Sequence, residues 1–270
     1  MKNKRLEVKH MYIEERHQAI LNILNEQGSI SNADIQEKFG VSYESAKRDL
    51  RILEEKGLLK RTHGGALPIR QVAIARPENQ TIRDYGDIKK NYILIAKKAI
   101  EMIEDNDVIF LSSTTICLFI AQNLPCNKRV RVVTNSIIIA EELRSKEHVS
   151  VILLGGEMDH KGNCYDTFAI NIVSKLRIDK SFICSAAISA EFGLSIQRSS
   201  AISFFYAVMD SSKKNIGLFP KEKIGFDSIV SICPAERLDM LITDWDAMEE
   251  DLNLFREKGI EVIVVDKESH

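Results

Sequence analysis

The fold is decided by residues 41–66, which read VSYESAKRDLRILEEKGLLKRTHGGA. In the first half, apolar residues recur at three- and four-residue spacing, which predicts the inward face of a helix; they are Ala46, Leu50 and Leu53. Ser42 is a favourable N-cap for this helix, and Gly57 is a favourable residue just beyond its end. The two leucines at 58 and 59 then predict a strand, and the two glycines at 64 and 65 predict the turn of a hairpin.

Two shorter helical segments precede this stretch. Ile20, Ile23 and Leu24 recur at helical spacing before a glycine at position 28. Ser31 begins the string S-N-A-D, which is a capping-box-like helix start, and Gly40 ends the second helix. Three short helices followed by a hairpin predict a winged helix-turn-helix, a small α+β head over residues 11–68.

The third predicted helix carries three cations away from its apolar face. A helix of this kind places its N-terminal side chains against base edges in the DNA major groove, and the hairpin reaches the backbone or minor groove beside it. Short polar side chains can read bases or fix phosphates, and Lys or Arg can pair with phosphate or guanine. A solvated helix face explains any one cation alone, but the combination of caps, turn glycine, cations and hairpin favours DNA. The predicted DNA-binding residues are Ser42, Tyr43, Ser45, Lys47, Arg48, Arg51, Arg61 and His63.

Residues 11–66 resemble the DNA-binding domain of the DeoR family of bacterial transcription regulators. The resemblance rests on three elements in combination, F-x-V-S, R-D-L-x-x-L-E-x-x-G and R-x-H-G-G-A. The family usually has T-I-R-R-D-L where residues 45–50 read S-A-K-R-D-L, a change that keeps the charge and bears on base preference. The resemblance implies a double-stranded DNA operator as the partner.

The composition is that of an ordinary globular protein. Of the 270 residues, 44% are hydrophobic and 28% are charged, and the net charge is -2. Residues 1–70 carry 13 Lys and Arg against 10 Asp and Glu, whereas the remainder has an acidic excess. A mildly basic head on an acidic body is consistent with a head that meets a polyanion. The basic N-terminus lacks the apolar core of a secretory signal, and no apolar run approaches the roughly 18 residues of a membrane helix. We therefore expect a cytoplasmic location without membrane contact.

The cysteines and histidines give no strong signal for a metal or cofactor. The apolar neighbours of the cysteines predict buried, reduced thiols, with a zinc site or a redox switch as the alternative. The histidines other than His63 are scattered and are expected at the surface. His160 lies near Asp159 and Cys164, but the spacing matches no standard metal set, so no metal or other cofactor is expected. The five cysteines are Cys117, Cys126, Cys164, Cys184 and Cys233.

A linker and a larger α/β domain follow the head. Residues 69–87 lack a long hydrophobic period and contain Pro77 and Gly86, which predicts a linker. Residues 88–270 alternate apolar runs with amphipathic stretches, which predicts a Rossmann-like, mainly parallel sheet with helices on both faces. The predicted strands are 108–111, 130–134, 149–154, 180–185, 216–219, 240–243 and 260–265, and the clearest helices are 88–102, 116–123, 137–144 and 247–258.

Polar residues collect where the first three of these strands end. Residues 112–115 read S-S-T-T, residues 134–136 read T-N-S, and residues 155–157 read G-G-E. Ligands of parallel sheets bind at the carboxyl ends of the strands. A Ser/Thr loop at a helix N-terminus offers hydroxyls and backbone N–H groups to an anion such as phosphate. Helix capping explains each loop alone, whereas three such loops together indicate a pocket.

This region, roughly residues 90–245, resembles the C-terminal sensor of the same family, which is similar in fold to sugar-phosphate isomerases. The strings that carry the resemblance are S-T-T, V-V-T-N-S, L-L-G-G-E, F-G-L-S and L-I-T-D. In the family such loops hold a phosphorylated sugar, which weakens operator binding. The resemblance therefore implies a phosphorylated sugar effector held by Ser113, Thr114, Thr115, Thr134, Asn135, Gly155, Gly156 and Lys223.

Three departures from the family pattern bear on that effector. The first loop usually reads D-x-G-T-T, but L-S-S-T-T lacks both the Asp and the Gly. Phe205 and Tyr206 stand where a Lys-Arg pair is expected, and the D-x-S-K-F-G element survives only as Lys223 and Gly225. A phosphate needs fixed cations or amides, and a sugar needs carboxylate or amide partners. We therefore hypothesise that the pocket binds a different ligand, binds weakly or is vestigial.

Three functions remain open at this point. The first is a transcription regulator, in particular a repressor of a carbohydrate-metabolism operon, acting as a dimer or tetramer whose affinity for DNA depends on a metabolite. The second is a constitutive DNA-binding regulator with a vestigial pocket. The third is an isomerase-like enzyme, which is disfavoured because sugar isomerisation needs a poised base and no paired carboxylates are identifiable. We therefore expect no catalytic residues.

Overall fold

The computed structural model describes residues 13–27, 29–56, 58–62, 64–68, 90–197 and 199–267. The chain divides into two compact units, Met1–Gln71 and Val72–His270. The predicted linker at 69–87 lies outside the described residues, as do His63 and the glycines at 28 and 57.

The first unit contains the three predicted helices and a small antiparallel sheet. Its strand order is β1-β3-β2, with Ile30 opposite Ala66 and Leu59 opposite Pro68. Strand β1 was not predicted, and Gly65, predicted in the turn, begins β3 instead. A Cβ on Gly65 would lie 2.0 Å from the Ile30 carbonyl oxygen, so the close approach of β1 accounts for this glycine. The elements are α1 (Ile13–Gln27), β1 (Ile30–Ser31), α2 (Asn32–Phe39), α3 (Tyr43–Glu55), β2 (Leu59–Arg61) and β3 (Gly65–Pro68).

Local capping fixes the helix boundaries of this unit. The Ser31 hydroxyl accepts from the Asp34 backbone N–H, and the Asp34 carboxylate accepts from the Ser31 N–H, which completes the predicted capping box. Gly40 ends α2 with φ at 64°, in the left-handed region that glycine tolerates. The helices and the sheet then share one core, made of Ile20, Leu24, Ile30, Ile35, Ala46, Leu50, Leu53, Leu59 and Ala66.

The second unit is built on one seven-stranded sheet. Every neighbouring pair in the order β13-β12-β10-β7-β4-β5-β6 is parallel. Each of the seven predicted strands is present in it, with ends shifted by a few residues. The elements in chain order are α4 (Lys90–Glu101), β4 (Val108–Leu111), α5 (Thr115–Gln122), β5 (Val130–Thr134), α6 (Ile137–Leu143), β6 (Val149–Leu153), α7 (Thr167–Val173), β7 (Ile178–Ile183), β8 (Ala187–Ser189), β9 (Gly193–Ile196), α8 (Ile202–Asp210), β10 (Ser212–Leu218), β11 (Val230–Cys233), β12 (Met240–Asp244), α9 (Glu249–Glu257) and β13 (Glu261–Val265).

Helices cover both faces of this sheet, as predicted. One apolar cluster joins the sheet to α4, α5 and α6, through residues such as Ile95, Ile120 and Ile139. The other joins it to α7, α8 and α9, through residues such as Phe204 and Phe255. Burial on both faces explains the apolar runs of inner strands such as β4 and β12.

Several parts of the second unit were not predicted. Strands β11, β9 and β8 form a separate antiparallel sheet. Helix α7 lies between β6 and β7, and α8 lies between β9 and β10, where no helix was predicted. Four cysteines are buried as expected, but Cys126 is exposed in the turn that follows α5, so its predicted burial is wrong. None of the helices in the described ranges is long and apolar enough to cross a membrane.

Candidate functional sites

Helix α3 has one buried face and one open face. Ala46, Asp49, Leu50 and Leu53 are buried, whereas Tyr43 keeps 45% of its surface exposed. The Ser42 hydroxyl caps the helix by accepting a hydrogen bond from the Ser45 N–H, and the hydroxyl oxygens of Ser42 and Ser45 lie 2.9 Å apart. The cap therefore holds the first turn in place, and Tyr43, Arg48 and Arg51 are exposed on the open face.

The cations of this surface have only weak internal partners. The Lys47 ammonium lies 3.8 Å from the Glu44 carboxylate and 5.4 Å from the centre of the Tyr43 ring. Arg51 and Arg61 lie 3.8 Å and 3.7 Å from glutamates 55 and 54. Within the described residues, no hydrogen bond or ion pair is recorded for the exposed Arg48 side chain. Exposed pairs of this length contribute little free energy, so all four cations remain available to a polyanion.

A buried charged cluster fixes α3 to α1. The Arg16 guanidinium donates to both oxygens of the Asp49 carboxylate, at 2.7 and 3.1 Å, and the Asp49 carboxylate also lies 3.1 Å from the His17 ring. The bond to Asp49 raises the pKa of Arg16 above its usual value. Asp49 is 3% exposed and His17 is 7% exposed, so the predicted surface position of His17 is wrong. Asp49 itself was missed, because its neighbours in the sequence are the exposed cations.

The predicted ligand residues meet at the carboxyl edge of the parallel sheet. The Thr134 hydroxyl donates to the Leu111 carbonyl, 2.9 Å away, and the Leu154 N–H donates to the Thr134 carbonyl, 2.8 Å away. The loops after β4, β5 and β6 are therefore directly bonded to one another. The Ser112 N–H also donates to the Phe182 carbonyl, which extends the same edge to β7.

Three of the predicted ligand side chains, Thr114, Thr134 and Asn135, make hydrogen bonds inside the protein. Thr134 and Asn135 are buried, and the Asn135 amide donates to the Cys164 carbonyl at 3.1 Å. Thr114 caps α5 through a bond from the Cys117 N–H. The buried Thr115 hydroxyl, in contrast, has no hydrogen-bond partner among the described residues. The Thr115 hydroxyl is therefore a buried polar group whose hydrogen-bonding capacity is unused among the described residues, and Ser113 in the same loop is partly buried.

The glycine loop after β6 is closed by a carboxylate of the chain itself. Asp166 accepts from the Glu157 N–H at 2.8 Å and from the Ala169 N–H at 3.1 Å. These backbone bonds lower the pKa of the Asp166 carboxyl. A Cβ on Gly156 would lie 2.1 Å from an Asp166 oxygen, so this carboxylate already accounts for the glycine. Gly155 faces open space, and Asp166 was not among the predicted residues.

Lys223 is the cation of the predicted effector set, and it too has internal partners. It lies in a short 3-10 turn, Lys221–Lys223, that follows β10. Its ammonium donates to the Ser185 carbonyl at 2.8 Å and lies 3.1 Å from the Cys184 sulfur. The carboxyl ends of β7 and β10 are thus joined through the side chain of Lys223.

Aromatic packing occupies the positions where a Lys-Arg pair was expected. Phe205 is buried, with its ring 6.4 Å from the Tyr165 ring and 6.0 Å from the Phe204 ring. Burial and the charge of Asp159 raise the pKa of the Tyr165 hydroxyl to about 12. Tyr206 lies under the Arg237 guanidinium, 5.8 Å from ring centre to the charged carbon. Phe205 therefore contributes to the core and cannot supply a positive charge.

A winged helix-turn-helix with an open cationic face, followed by an α/β unit with polar strand ends, defines a DNA-binding regulator with a sensor domain. The "DeoR-like helix-turn-helix domain" matches residues 16–72, and the "DeoR C terminal sensor domain" matches residues 89–245, more than half of the chain. The chain belongs to the DeoR family of transcription regulators, and the resemblance expected from the sequence motifs is confirmed.

Named relatives align with nearly the whole chain. The HTH-type transcriptional repressor GlcR of Bacillus subtilis is 29% identical over 263 residues, covering 96% of this chain and 98% of that protein. The lactose phosphotransferase system repressor of Staphylococcus epidermidis is 30% identical over 252 residues, covering 92% and 98%. The HTH-type transcriptional regulator GolR of Listeria innocua is 26% identical, covering 95% and 100%. These relatives are regulators and not enzymes, so the isomerase-like enzyme is set aside.

Among solved structures, ribose 5-phosphate isomerase from Plasmodium falciparum matches 50% of this chain and 52% of that chain, with a TM-score of 0.36 and 17% identity.

Proposed function

We propose that this protein represses a carbohydrate-metabolism operon by binding an operator through α3, and that a phosphorylated sugar at the carboxyl edge of its sheet weakens this binding. The protein would act in the cytoplasm, where both the operator and phosphorylated sugars are found. The name of the lactose phosphotransferase system repressor of Staphylococcus epidermidis supports the carbohydrate assignment.

The observation that carries the proposal is the division of α3 into two faces. Its buried face is fixed by the apolar core and by the Asp49 cluster, while Lys47, Arg48 and Arg51 lie on the open face. A helix fixed on one face, with weakly paired cations on its solvent face, can present those cations to the major groove. Arg61 on β2 and His63 beyond it would add contacts to the DNA backbone or minor groove.

We infer that the protein binds as a homo-oligomer. One head reads only one half-site, and helix-turn-helix proteins reach operator affinity by pairing two heads on half-sites about one helical turn apart. The second unit would supply the contact between copies, since it carries most of the chain.

A constitutive regulator is the second candidate, and one observation favours it. Three of the side chains expected to contact an effector already have internal partners: backbone carbonyls for Thr134 and Asn135, and the Ser185 carbonyl for Lys223. A ligand would have to displace these bonds, which lowers its net affinity.

The test is a genome-wide selection of DNA fragments bound by the purified full chain, repeated with a panel of phosphorylated and free sugars. A discrete motif whose binding is released by one sugar phosphate would support the repressor with a working sensor. A discrete motif that no sugar releases would favour the constitutive regulator. The absence of any motif would overturn both assignments.

A further inference from the structure

We propose that Asn91 transmits the state of the Lys223 turn to the start of α4, the helix that follows the segment joining the two units. This inference rests on the proposed function, since it describes how an occupied effector site would reach the DNA-binding unit. Asn91, Glu222 and Asp244 lie outside the predicted effector set, whereas Lys223 belongs to it.

The first step is a direct bond between α4 and the turn. The Asn91 amide donates to the Asp244 carboxylate at 2.9 Å and to the Glu222 carboxylate at 3.3 Å. Asp244 ends β12 and is 1% exposed. The same Asp244 oxygen also accepts from the Lys221 N–H at 3.0 Å. One buried carboxylate oxygen therefore holds the first turn of α4 and the start of the 3-10 turn together.

The second step is the attachment of the same turn to β7 and β8 on its other side. The Lys223 ammonium bonds to the Ser185 carbonyl and contacts Cys184, and the Gly225 N–H bonds to the Ile188 carbonyl at 2.9 Å. Three consecutive residues, Lys221 to Lys223, thus face Asp244, Asn91 and the end of β7 respectively. Loss of the Lys223 anchor would leave its two neighbours freer to move, because the three residues form a single 3-10 turn.

The third step is the competition that a ligand introduces. An anion at the strand ends would draw the Lys223 ammonium away from the Ser185 carbonyl, since a charge-assisted bond to phosphate is stronger than one to a neutral carbonyl. The turn would then shift relative to Asp244 and weaken the bonds of Asn91. Such differential contacts in the two states are what allows a ligand to shift an equilibrium.

The last step is connectivity. Helix α4 begins at Lys90, and residues 69–89 are the only covalent path from the head to the second unit. Asn91 is the second residue of this helix. A movement of the Lys221–Lys223 turn would therefore act on α4 close to the point where the connecting segment joins it.

The experiment uses reciprocity and needs no identified effector. Coupling between two sites is reciprocal. If a change in the conformation of the turn alters the affinity for operator DNA, then binding of operator DNA must shift the conformational equilibrium of the turn by the same free energy. Hydrogen exchange of backbone amides 219–225 is measured on the full chain, with and without a selected operator fragment, and binding is read separately by fluorescence anisotropy. We expect exchange in this segment to change by about fivefold or more in the wild-type protein.

Three variants make the test specific. Asn91→Ala should reduce the DNA-dependent change at residues 219–225 to less than about twofold, whereas Asn123→Ala, a matched loss at the far end of α5, should retain it. Asn91→Asp places a carboxylate against Asp244 and Glu222, and should leave the turn in rapid exchange with or without DNA. Circular dichroism of each variant checks that the fold is intact.

The outcomes separate this inference from the proposed function. DNA binding without any change at residues 219–225, or an unchanged response in Asn91→Ala, would overturn the role of Asn91 and leave the repressor assignment standing. Failure to bind any DNA fragment would show in the anisotropy and overturn both.

Discussion

At the residue scale, Asp49 is the buried group on which the position of α3 depends. Removing one partner of a buried ion pair leaves the other charge unpaired and costs about 3–5 kcal/mol of stability. We expect Asp49→Ala to destabilise the head by about this amount, because Arg16 would keep its charge without a partner. Native-state hydrogen exchange of the α3 amides measures the loss.

A matched control lies on the same helix. Glu55→Ala removes an exposed partner of Arg51 and should cost less than about 1 kcal/mol. The double replacement Arg16→Met with Asp49→Leu should recover much of the stability, since a well-packed apolar pair of similar size can replace a buried ion pair. Equal exchange rates in Asp49→Ala and in the wild-type protein would contradict the structural role.

Arg48 is the residue on which direct base recognition can be tested. Arg48→Ala should weaken operator binding by about 1–3 kcal/mol and relax specificity at one base pair if the side chain contacts a base. Uniform weakening across all sequences would assign Arg48 to phosphate instead. Lys56→Ala, an exposed cation at the end of α3 remote from its N-terminus, is the control, and unchanged binding by Arg48→Ala would exclude Arg48 from the interface.

At the element scale, the small sheet of the head depends on one glycine. Gly65→Ala places a Cβ 2.0 Å from the Ile30 carbonyl and should separate β1 from β3. Overpacking of this kind costs about 1–3 kcal/mol. Gly64→Ala is a close control, because a Cβ there meets nothing within 4 Å. Thermal unfolding followed by circular dichroism should show a lowered transition for the first variant only, and equal transitions would contradict the packing argument.

Inner strands of the parallel sheet such as β12 are buried on both faces, whereas the edge strands β6 and β13 are less buried. The seven strands could be predicted because each includes a mainly apolar run between turns. The antiparallel sheet could not, because β8 and β9 are three and four residues long and include serines that are buried only in the fold. Helix α8 reads ISFFYAVMD, and an apolar run this short is hard to distinguish from a buried strand by its sequence pattern alone. The capping box at Ser31 is purely local, and the sequence alone was enough to predict it.

In the candidate sites, too, features set by local sequence could be predicted, whereas features set by tertiary packing could not. The cations of α3 could be predicted because their spacing is set by one helix. The bonds of Asp49 to Arg16, and of Asp166 to the glycine loop, join residues that only tertiary packing brings together. The sequence therefore predicted the cationic face of α3 better than it predicted which polar side chains of the strand-end loops already have partners inside the protein.

At the scale of the whole molecule, operator binding should be strongly dependent on salt. Each phosphate neutralised by the protein adds about 0.9 to the slope of the logarithm of affinity against the logarithm of salt concentration. Two copies that each lose Lys47 should therefore show a slope smaller by about 1.8 than the wild-type protein, if each Lys47 contacts a phosphate. Anisotropy titrations across a salt series measure this, and an identical slope for Lys47→Ala would place the side chain away from the backbone.

The uneven burial of the cysteines has a practical consequence for counting chains on DNA. Burial raises the pKa of Cys117 and of Cys233 to about 11, and the thiolate is the form that reacts with electrophiles. Cys126 is exposed, so a maleimide dye at neutral pH should attach there first. Each subunit would then carry a single fluorophore, and the steps in which one bound complex photobleaches would give the number of subunits per operator.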